Sequence, residues 1–237
     1  MDLSILKDKY KSCLGPSSIS VALAENNCQR NIWLQYRKKT DNNDSIFLEQ
    51  YRLKHQAGLS NLISFLSIKY PDSVIEPEQK LPIVKFRGVS IYGIPDLVLK
   101  DNNDNSISVF DVKTGARKTS HFFQAGIYFL MLKAIAIKRG LPEPKLKSIA
   151  ICYDDGSATF DPKTYEDKIL EFKGPSAINE IFLDPTKERL KEIFDIVSQK
   201  NLPLATPSSG NCKFCKFKEY CPEVCIEEEL VVTNNLF

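Results

Sequence analysis

Three charged side chains, Asp96, Asp111 and Lys113, stand at the ends of apolar segments within residues 93–115, GIPDLVLKDNNDNSISVFDVKTG. Residues i and i+2 of a strand point to the same face, so Asp111 and Lys113 project together, and Asp96 meets them if the two segments pair. Two close carboxylates repel each other unless a cation lies between them, and hard divalent ions prefer oxygen ligands. A neighbouring lysine can hold a water molecule or a developing phosphoryl charge. The pattern predicts metal-assisted hydrolysis of a phosphodiester.

Each of these residues also has an ordinary structural explanation. An aspartate in Gly-Ile-Pro-Asp is commonly a turn residue, and Asp-Val-Lys at a strand end is commonly a solvated edge with a weak salt bridge. Two further features favour the catalytic explanation over the structural one. Gln124 and Tyr128 lie four residues apart on a predicted helix and therefore share a face, and His55 lies in an upstream helical segment. The order of these elements is more informative than any one of them.

In this order the motifs resemble the PD-(D/E)xK nuclease superfamily, and more closely its RecB-like branch. The resemblance is carried by His55, Gly93-x-x-Asp96, Asp111-x-Lys113 and Gln124-x-x-x-Tyr128. It implies an α/β fold with a restriction-endonuclease-like core, a mixed central sheet flanked by helices, and a DNA substrate. In that branch the Gln-x-x-x-Tyr helix lines the DNA channel, which implies that Gln124 and Tyr128 position the DNA.

The resemblance also implies a role for each matching residue near the hairpin. The side chains of His55, Asp96 and Asp111, with the backbone carbonyl of Val112, would bind Mg²⁺ or Mn²⁺. Asp96, Asp111 and Lys113 would be the catalytic residues. Lys113 would activate the attacking water or stabilise the transition state.

A second candidate site is the sequence CKFCKFKEYC, which contains Cys212, Cys215 and Cys221. Thiolate ligation of a metal orders a small, loop-rich segment that has no core of its own, and a closed site needs four sulfurs. The fourth sulfur would come from Cys13, Cys28, Cys152 or Cys225. Cys225 would complete a purely local zinc site, whereas the apolar surroundings of Cys152 favour a buried small residue.

One RecB-like subgroup carries a single cysteine before an N-terminal helix and a C-x2-C-x5-C sequence near the C-terminus, which together hold a [4Fe–4S] cluster. The sequence CQRNIWL, from Cys28, resembles the N-terminal element of that subgroup. The resemblance implies that Cys28, Cys212, Cys215 and Cys221 hold such a cluster in preference to zinc, and Cys225 keeps the zinc alternative open. CRISPR-associated exonucleases of the RecB type and nuclease domains of AddB-type helicases share this arrangement.

The chain contains no G-x-x-x-x-G-K-[ST] sequence, which favours a stand-alone nuclease over a helicase–nuclease. The resemblance implies an exonuclease that digests single-stranded DNA ends from 5′ to 3′ in CRISPR spacer acquisition. CRISPR integrase proteins are then expected partners, and an oligomer is one option. Two alternatives are a repair or viral RecB-like nuclease with endonucleolytic or structure-specific activity, and a zinc-bound, non-catalytic DNA-binding module. Arg117 and Lys118 are candidates for phosphate contacts, although a solvated charge pair is favoured.

Composition adds broad limits. The 237 residues carry 32 Lys and Arg against 30 Asp and Glu, so the net charge of +2 gives no general sign of nucleic-acid binding. The N-terminus lacks the apolar region of a signal peptide, and no segment looks long and apolar enough to span a membrane. We expect a cytoplasmic protein without membrane partners, in which seven cysteines favour metal or redox chemistry over disulfides.

The elements that must position these residues form a mixed α/β core. We expect a single nuclease domain, 1–237, divided into an N-terminal helical part (1–75), a nuclease core (76–200) and a cysteine-rich, cluster-binding C-terminal element (201–237) that joins the two ends. Periodicity predicts helices at 27–37, 46–70, 120–138 and 186–200, and strands at IVKF, VSIYGIPDLVLK, SISVFDVK and 145–154. Residues 155–184 have no assigned role.

Overall fold

The computed structural model describes residues 13–24, 28–37 and 46–207, together with five residues of the C-terminal segment. Those five are Cys212, Cys215, Phe217, Lys218 and Cys221. Cys225, on which the local zinc alternative depends, lies outside the described residues.

The described residues form two β-sheets. Their strands are β1 (Cys13–Leu14), β2 (Val74–Pro77), β3 (Val84–Phe86), β4 (Val89–Ile91), β5 (Leu97–Asp101), β6 (Ser106–Lys113), β7 (Lys145–Tyr153) and β8 (Ile169–Lys173). The smaller sheet has the order β1-β4-β3, and the larger has the order β2-β5-β6-β7-β8. In the larger sheet β6 and β7 are parallel and the other neighbours are antiparallel. The predicted mixed sheet is therefore confirmed.

Helices cover both faces of the larger sheet. They are α1 (Pro16–Ala24), α2 (Gln29–Arg37), α3 (Ile46–Lys69), α4 (Thr119–Lys138), the short α5 (Pro175–Ile178) and α6 (Asp184–Ser198), with a 3₁₀ turn at Tyr165–Lys168 and a π-helical turn at Asn179–Leu183. The predicted helices correspond to α2, α3, α4 and α6, with ends that differ by at most two residues. Helix α3 ends just before Pro71, because a residue that precedes proline is disfavoured in the helical region.

The two faces of the larger sheet have separate apolar layers. On one face, α3 packs on alternate positions of β5, β6 and β7, and this layer includes Leu62, Leu66, Leu97, Phe110 and Val112. On the other face, α1, α4 and α6 pack on the intervening positions, and this layer includes Ile19, Val98, Val109, Ile127, Ile149 and Phe194. Side chains alternate along a strand. Asp111 therefore lies on the α4 face of β6, with Val109.

Helix α4 is long and apolar enough, by length and composition alone, to cross a membrane, which corrects the expectation that no segment is. More than half of its most apolar window is buried inside the protein. Phe122, Ile127 and Met131 of this helix belong to the core layer over the sheet. A helix that is apolar on most sides is typical of a core position.

The segment VSIYGIPDLVLK is two strands rather than the single strand expected. Its first part, β4, pairs with β1 and β3, and its second part, β5, pairs with β2 and β6. Gly93 lies between them, where a Cβ would come within 2.7 Å of the Tyr128 ring and 2.8 Å of Pro16. The chain thus leaves the smaller sheet at a point where only glycine fits, and Asp96 directly precedes β5.

Residues 155–184 complete the edge of the larger sheet through β8, which pairs with β7. A buried polar network beside this edge joins the end of β7 to α3. Asp154 accepts hydrogen bonds from Asn61 at 2.9 Å, from the Tyr165 hydroxyl at 3.0 Å and from Lys168 at 2.9 Å. A Cβ on Gly58 of α3 would lie 2.3 Å from the Asp154 carbonyl oxygen. The network and this close approach hold α3 directly against β7.

Helices α2 and α6 are also joined. Trp33 Nε1 donates to the Gln199 carbonyl at 3.0 Å, and the Arg37 guanidinium donates to the carbonyls of Val197 and Gln199. Carbonyls at a helix C-terminus lack partners within the helix, and a cation there is favourable. Helix α2 therefore caps the C-terminal end of α6.

Candidate active site

The hairpin of β5 and β6 places the two predicted carboxylates side by side. Leu97 pairs with Phe110, so Asp96 and Asp111 are the next residues of the two strands. Asp96 Oδ2 accepts the Val112 backbone N–H at 2.7 Å and lies 3.1 Å from His55 Nε2. One carboxylate oxygen thus ties the hairpin to helix α3.

Asp111 is the most unusual group of the site. Its side chain is fully buried; Oδ2 forms an ion pair with Lys113, and no donor among the described residues reaches Oδ1. Burial, followed by the negative charge of Asp96, raises the pKa of Asp111 to about 7, against the opposing charges of Lys113 and His55. A buried carboxylate without hydrogen-bond donors is costly unless a cation compensates it.

Lys113 and His55 are the positive partners of these acids. Lys113 Nζ lies 2.5 Å from Asp111 Oδ2 as an ion pair. Burial opposes its charge, but the negative charges of Asp111 and Asp96 outweigh burial and raise the pKa of Lys113. The hydrogen bond to Asp96 raises the pKa of His55, against partial burial. The four side chains form one coupled electrostatic group.

Gln124 and Tyr128 of α4 lie on the same helix face, as predicted, and complete the wall of the site. Gln124 Oε1 accepts from Lys113 Nζ at 3.2 Å. Tyr128 is buried, its hydroxyl is hydrogen-bonded to the Gln124 side chain and the Ile94 backbone, and burial raises its pKa. These contacts make Gln124 a support for Lys113, while the expected contact of both residues with DNA stays a prediction.

Comparison with known proteins adds the family to this geometry. The family model described as the PD-(D/E)XK nuclease superfamily matches residues 20–222. The chain belongs to the PD-(D/E)XK nuclease superfamily. A DNA substrate follows from membership of this nuclease family.

Two solved structures are similar to this PD-(D/E)XK chain. One is the crystal structure of SSO0001, with 17% identity, a TM-score of 0.48, and coverage of 95% of this chain and 98% of that one. The other is an alkaline exonuclease, LHK-Exo, from Laribacter hongkongensis, with 8% identity, a TM-score of 0.41, and coverage of 82% and 94%. No curated protein sequence matches the chain.

PD-(D/E)XK nucleases typically use Mg²⁺ or Mn²⁺, and the donor set fits such an ion. Two neighbouring carboxylates, Asp96 and Asp111, supply the oxygen ligands that hard cations prefer, and His55 adds an imidazole. As arranged, the donors pair with one another: across the described residues, no three His, Cys, Asp or Glu side chains are grouped as a metal site. An ion would take the place of the Lys113 and His55 contacts with the two acids.

Several polar residues of the site carry no local sequence signal. Tyr51, one turn before His55 on α3, stacks on it with ring centres 6.4 Å apart. Tyr153 pairs in register with Lys113 across the parallel strands β6 and β7, and its hydroxyl lies 3.2 Å from His121 Nδ1. Tyr51 reaches the PD-(D/E)XK site on the same helix as His55, whereas Tyr153 reaches it through the pairing of β7 with β6.

Contacts of Cys28 and Arg30 join the start of α2 to the C-terminal part of the described chain. Cys28 Sγ accepts the Thr206 backbone N–H at 3.4 Å. Arg30, which is buried, donates to the Pro203 carbonyl at 3.0 Å and contacts Cys221 Sγ at 3.6 Å. These contacts place the start of α2 beside the C-terminal segment.

The charges of the four predicted ligands act on one another. Burial raises the pKa of Cys215, and the negative charges of Cys28, Cys212 and Cys221 add to this effect. Their sulfurs are not grouped as a metal site in the part of the chain that the structure describes. Cys152, in contrast, is buried in β7, its sulfur lies 3.3 Å from the Tyr165 hydroxyl, and the prediction that it is a buried small residue is confirmed.

Proposed function

We propose that this nuclease is a metal-dependent exonuclease that digests single-stranded DNA from 5′ to 3′ and acts in CRISPR spacer acquisition. One observation supports the metal-dependent chemistry above all: Asp111 is fully buried beside Asp96, and Lys113 is the cation that compensates its charge. The single-strand preference, the polarity and the role with CRISPR integrase proteins rest on the motif order of the sequence.

In this proposal Asp96, Asp111, His55 and the Val112 carbonyl hold Mg²⁺ or Mn²⁺. The ion would supply activation of water and charge stabilisation at the phosphate. Lys113 then becomes free to donate to a non-bridging phosphate oxygen, where negative charge develops as water attacks phosphorus and one P–O ester bond breaks.

Gln124 would keep Lys113 directed at the phosphate through the 3.2 Å contact already present. Tyr128, fixed by the Ile94 backbone, would hold Gln124 in turn. Preorganised donors of this kind need no rearrangement while the reaction takes place.

We also propose that Cys28, Cys212, Cys215 and Cys221 hold a [4Fe–4S] cluster. The electrostatic effect of the other three cysteines on Cys215 and the Arg30 contact to Cys221 support this grouping. Measurement of iron and acid-labile sulfide in protein purified without oxygen tests it. We expect loss of iron in Cys28→Ala and retention in Cys225→Ala, whereas zinc in place of iron, or iron lost only in Cys225→Ala, contradicts the cluster.

The decisive assay follows single-stranded DNA labelled at either end, with Mn²⁺ and anaerobically purified protein. We expect Lys113→Ala to lower the rate by about 10²- to 10³-fold, the usual effect of removing one donor that stabilises a developing charge. Lys138→Ala removes an exposed lysine at the C-terminal end of α4, the end away from Gln124, and is the matched control. The label released first reports the polarity.

Equal rates for wild type and Lys113→Ala would refute the catalytic assignment. Internal fragments as first products would support the endonucleolytic alternative. DNA binding without cleavage, from protein with a complete cluster and Mn²⁺, would favour the non-catalytic DNA-binding alternative.

A further inference from the structure

A polar cluster beside Lys113 has no part in the chemistry described above. It joins the start of α4 to the end of β7. His121 Nδ1 lies 3.2 Å from the Tyr153 hydroxyl, and the Arg117 guanidinium lies 5.3 Å from the centre of the Tyr153 ring. Tyr153 is the register partner of Lys113. The cluster is therefore about one strand spacing, roughly 4.8 Å, from the backbone of the lysine.

The hydrogen bonds around Tyr153 fix the direction of the His121 imidazole. The Tyr153 oxygen accepts the Lys118 backbone N–H. The phenol proton is then available to donate to the nearest acceptor, His121 Nδ1. In this tautomer Nδ1 accepts from Tyr153, Nε2 carries the hydrogen, and Nε2 is the ring nitrogen that does not contact Tyr153.

His121 is consequently a neutral donor. Burial, with the positive charges of Lys113 and Lys118, lowers the pKa of His121 to about 4. The imidazole therefore carries no charge at neutral pH, and its Nε2–H is the group available to an acceptor.

Arg117 supplies the charge that His121 lacks. Its side chain is exposed and its planar guanidinium lies over the Tyr153 ring. A guanidinium held in this way presents several N–H groups to a phosphate. The first turn of α4 contains no acidic residue that would repel an anion. Together the cluster offers a cation and a neutral donor on the side of Lys113 away from Asp96.

We propose that Arg117 and His121 bind the phosphodiester group next to the one that is cut, and that Tyr153 is the positioning residue for His121. The inference rests on the proposed function, since Lys113 marks the scissile phosphate. Recognition of this kind reads the backbone and not the bases.

Binding of a fluorescent single-stranded oligonucleotide in EDTA tests the site without cleavage. Arg117→Ala should weaken binding and reduce the slope of log K against log salt by about 0.7, the value for one phosphate contact on a single strand. Arg139→Ala, an exposed arginine beyond the opposite end of α4, should leave the slope unchanged. An unchanged slope in Arg117→Ala would overturn its assignment.

His121 variants separate a hydrogen bond from a charge. His121→Ala should weaken binding about tenfold, as expected for one lost bond to a charged group, with no change in the salt slope. His121→Gln, which places an amide N–H near the position of Nε2, should restore most of the affinity. If His121→Ala lowers thermal stability, His121→Gln still decides: weak binding by a stable His121→Gln protein would refute the donor role.

Tyr153→Phe tests positioning through nitrogen-15 spectra of the imidazoles, since the chain has only two histidines. We expect the Nε2–H tautomer for His121 in the wild type and a tautomer mixture in Tyr153→Phe. An Nδ1–H tautomer in the wild type would overturn the assignment.

Two oligonucleotide changes locate the phosphate. A single neutral methylphosphonate next to the cleaved linkage should weaken wild-type binding but add nothing in Arg117→Ala, because the two changes remove the same contact. An effect of Arg117→Ala confined to DNA with a 5′-terminal phosphate would refute an internal site. Wild-type protein that neither binds nor cleaves DNA would refute the proposed function, whereas normal cleavage with variants that bind like wild type refutes this inference alone.

Discussion

The buried Asp111 makes stability without metal depend on pH in an unusual direction. Its pKa rises from 3.8 to about 7 on folding. Between these values the folded protein holds a proton that the unfolded chain has released, so the free energy of unfolding falls as the pH rises. From pH 5 to pH 6.5 the loss is about 2 kcal/mol, at 1.36 kcal/mol per pH unit.

This window isolates Asp111 from its neighbour. The pKa of His55 is raised above 6.5, so its contribution is fully present below pH 6.5 and is lost only above that value. Urea unfolding in EDTA at pH 5 and pH 6.5 measures the slope. Asp111→Asn should remove the difference of about 2 kcal/mol, while Asp195→Asn, at an exposed carboxylate of α6, should retain it.

A bound metal ion should restore the free energy of unfolding that is lost as the pH rises. At pH 8 Mn²⁺ in hundredfold excess over its Kd should stabilise the wild type by about 2.7 kcal/mol and Asp111→Asn far less. A pH slope in Asp111→Asn equal to that of wild type would refute the claim that desolvation and the Asp96 charge raise the pKa of Asp111.

Three further changes test how the site is supported. Gly58→Ala places a Cβ 2.3 Å from the Asp154 carbonyl and should destabilise the fold by about 2 kcal/mol in urea unfolding; a neutral change would show that α3 is free to move away. Tyr165→Phe removes the donor to Asp154 and should cost about 1 to 3 kcal/mol in the same assay, whereas stability equal to wild type would mean that water replaces the hydroxyl. Arg30→Gln loses the contact to Cys221 and should lower iron retention under a chelator challenge, with Arg139→Ala as control; unchanged retention would separate Arg30 from the cluster.

The hairpin of the active site was predictable because its information is local. Two apolar segments flank the turn sequence DNNDN, and alternation places Asp111 and Lys113 on one face. The structure pairs these segments as expected. Helix α3 was predictable for the same reason, from periodicity and Pro71.

The short edge strands of the larger sheet could not be predicted, because they show too little apolar alternation. β2 and β8 each have only four or five residues and are partly exposed, so neither shows clear alternation. The break between β4 and β5 depends on the contact of Gly93 with Tyr128, a residue 35 positions away. Such contacts are tertiary and override the apolar pattern.

The cluster of Arg117, His121 and Tyr153 could not be found in the sequence either. Tyr153 reaches Lys113 only because β7 lies parallel to β6, which the residues of neither strand specify. The expected grouping of the four cysteines depended on resemblance, since spacing alone left other fourth ligands open.

The contacts between α2 and the C-terminal segment have a consequence for how the protein is made. Arg30 and Cys221 are 191 residues apart in sequence. At a synthesis rate of 5 to 20 residues per second, Cys28 and α2 wait about 10 to 40 s before their partners leave the ribosome. Contacts of such separation carry a large loop-closure entropy and form late in folding. Throughout this interval the nascent chain exposes the Cys28 thiol and the part of α2 that α6 later covers, which we expect to favour chaperone binding and premature oxidation.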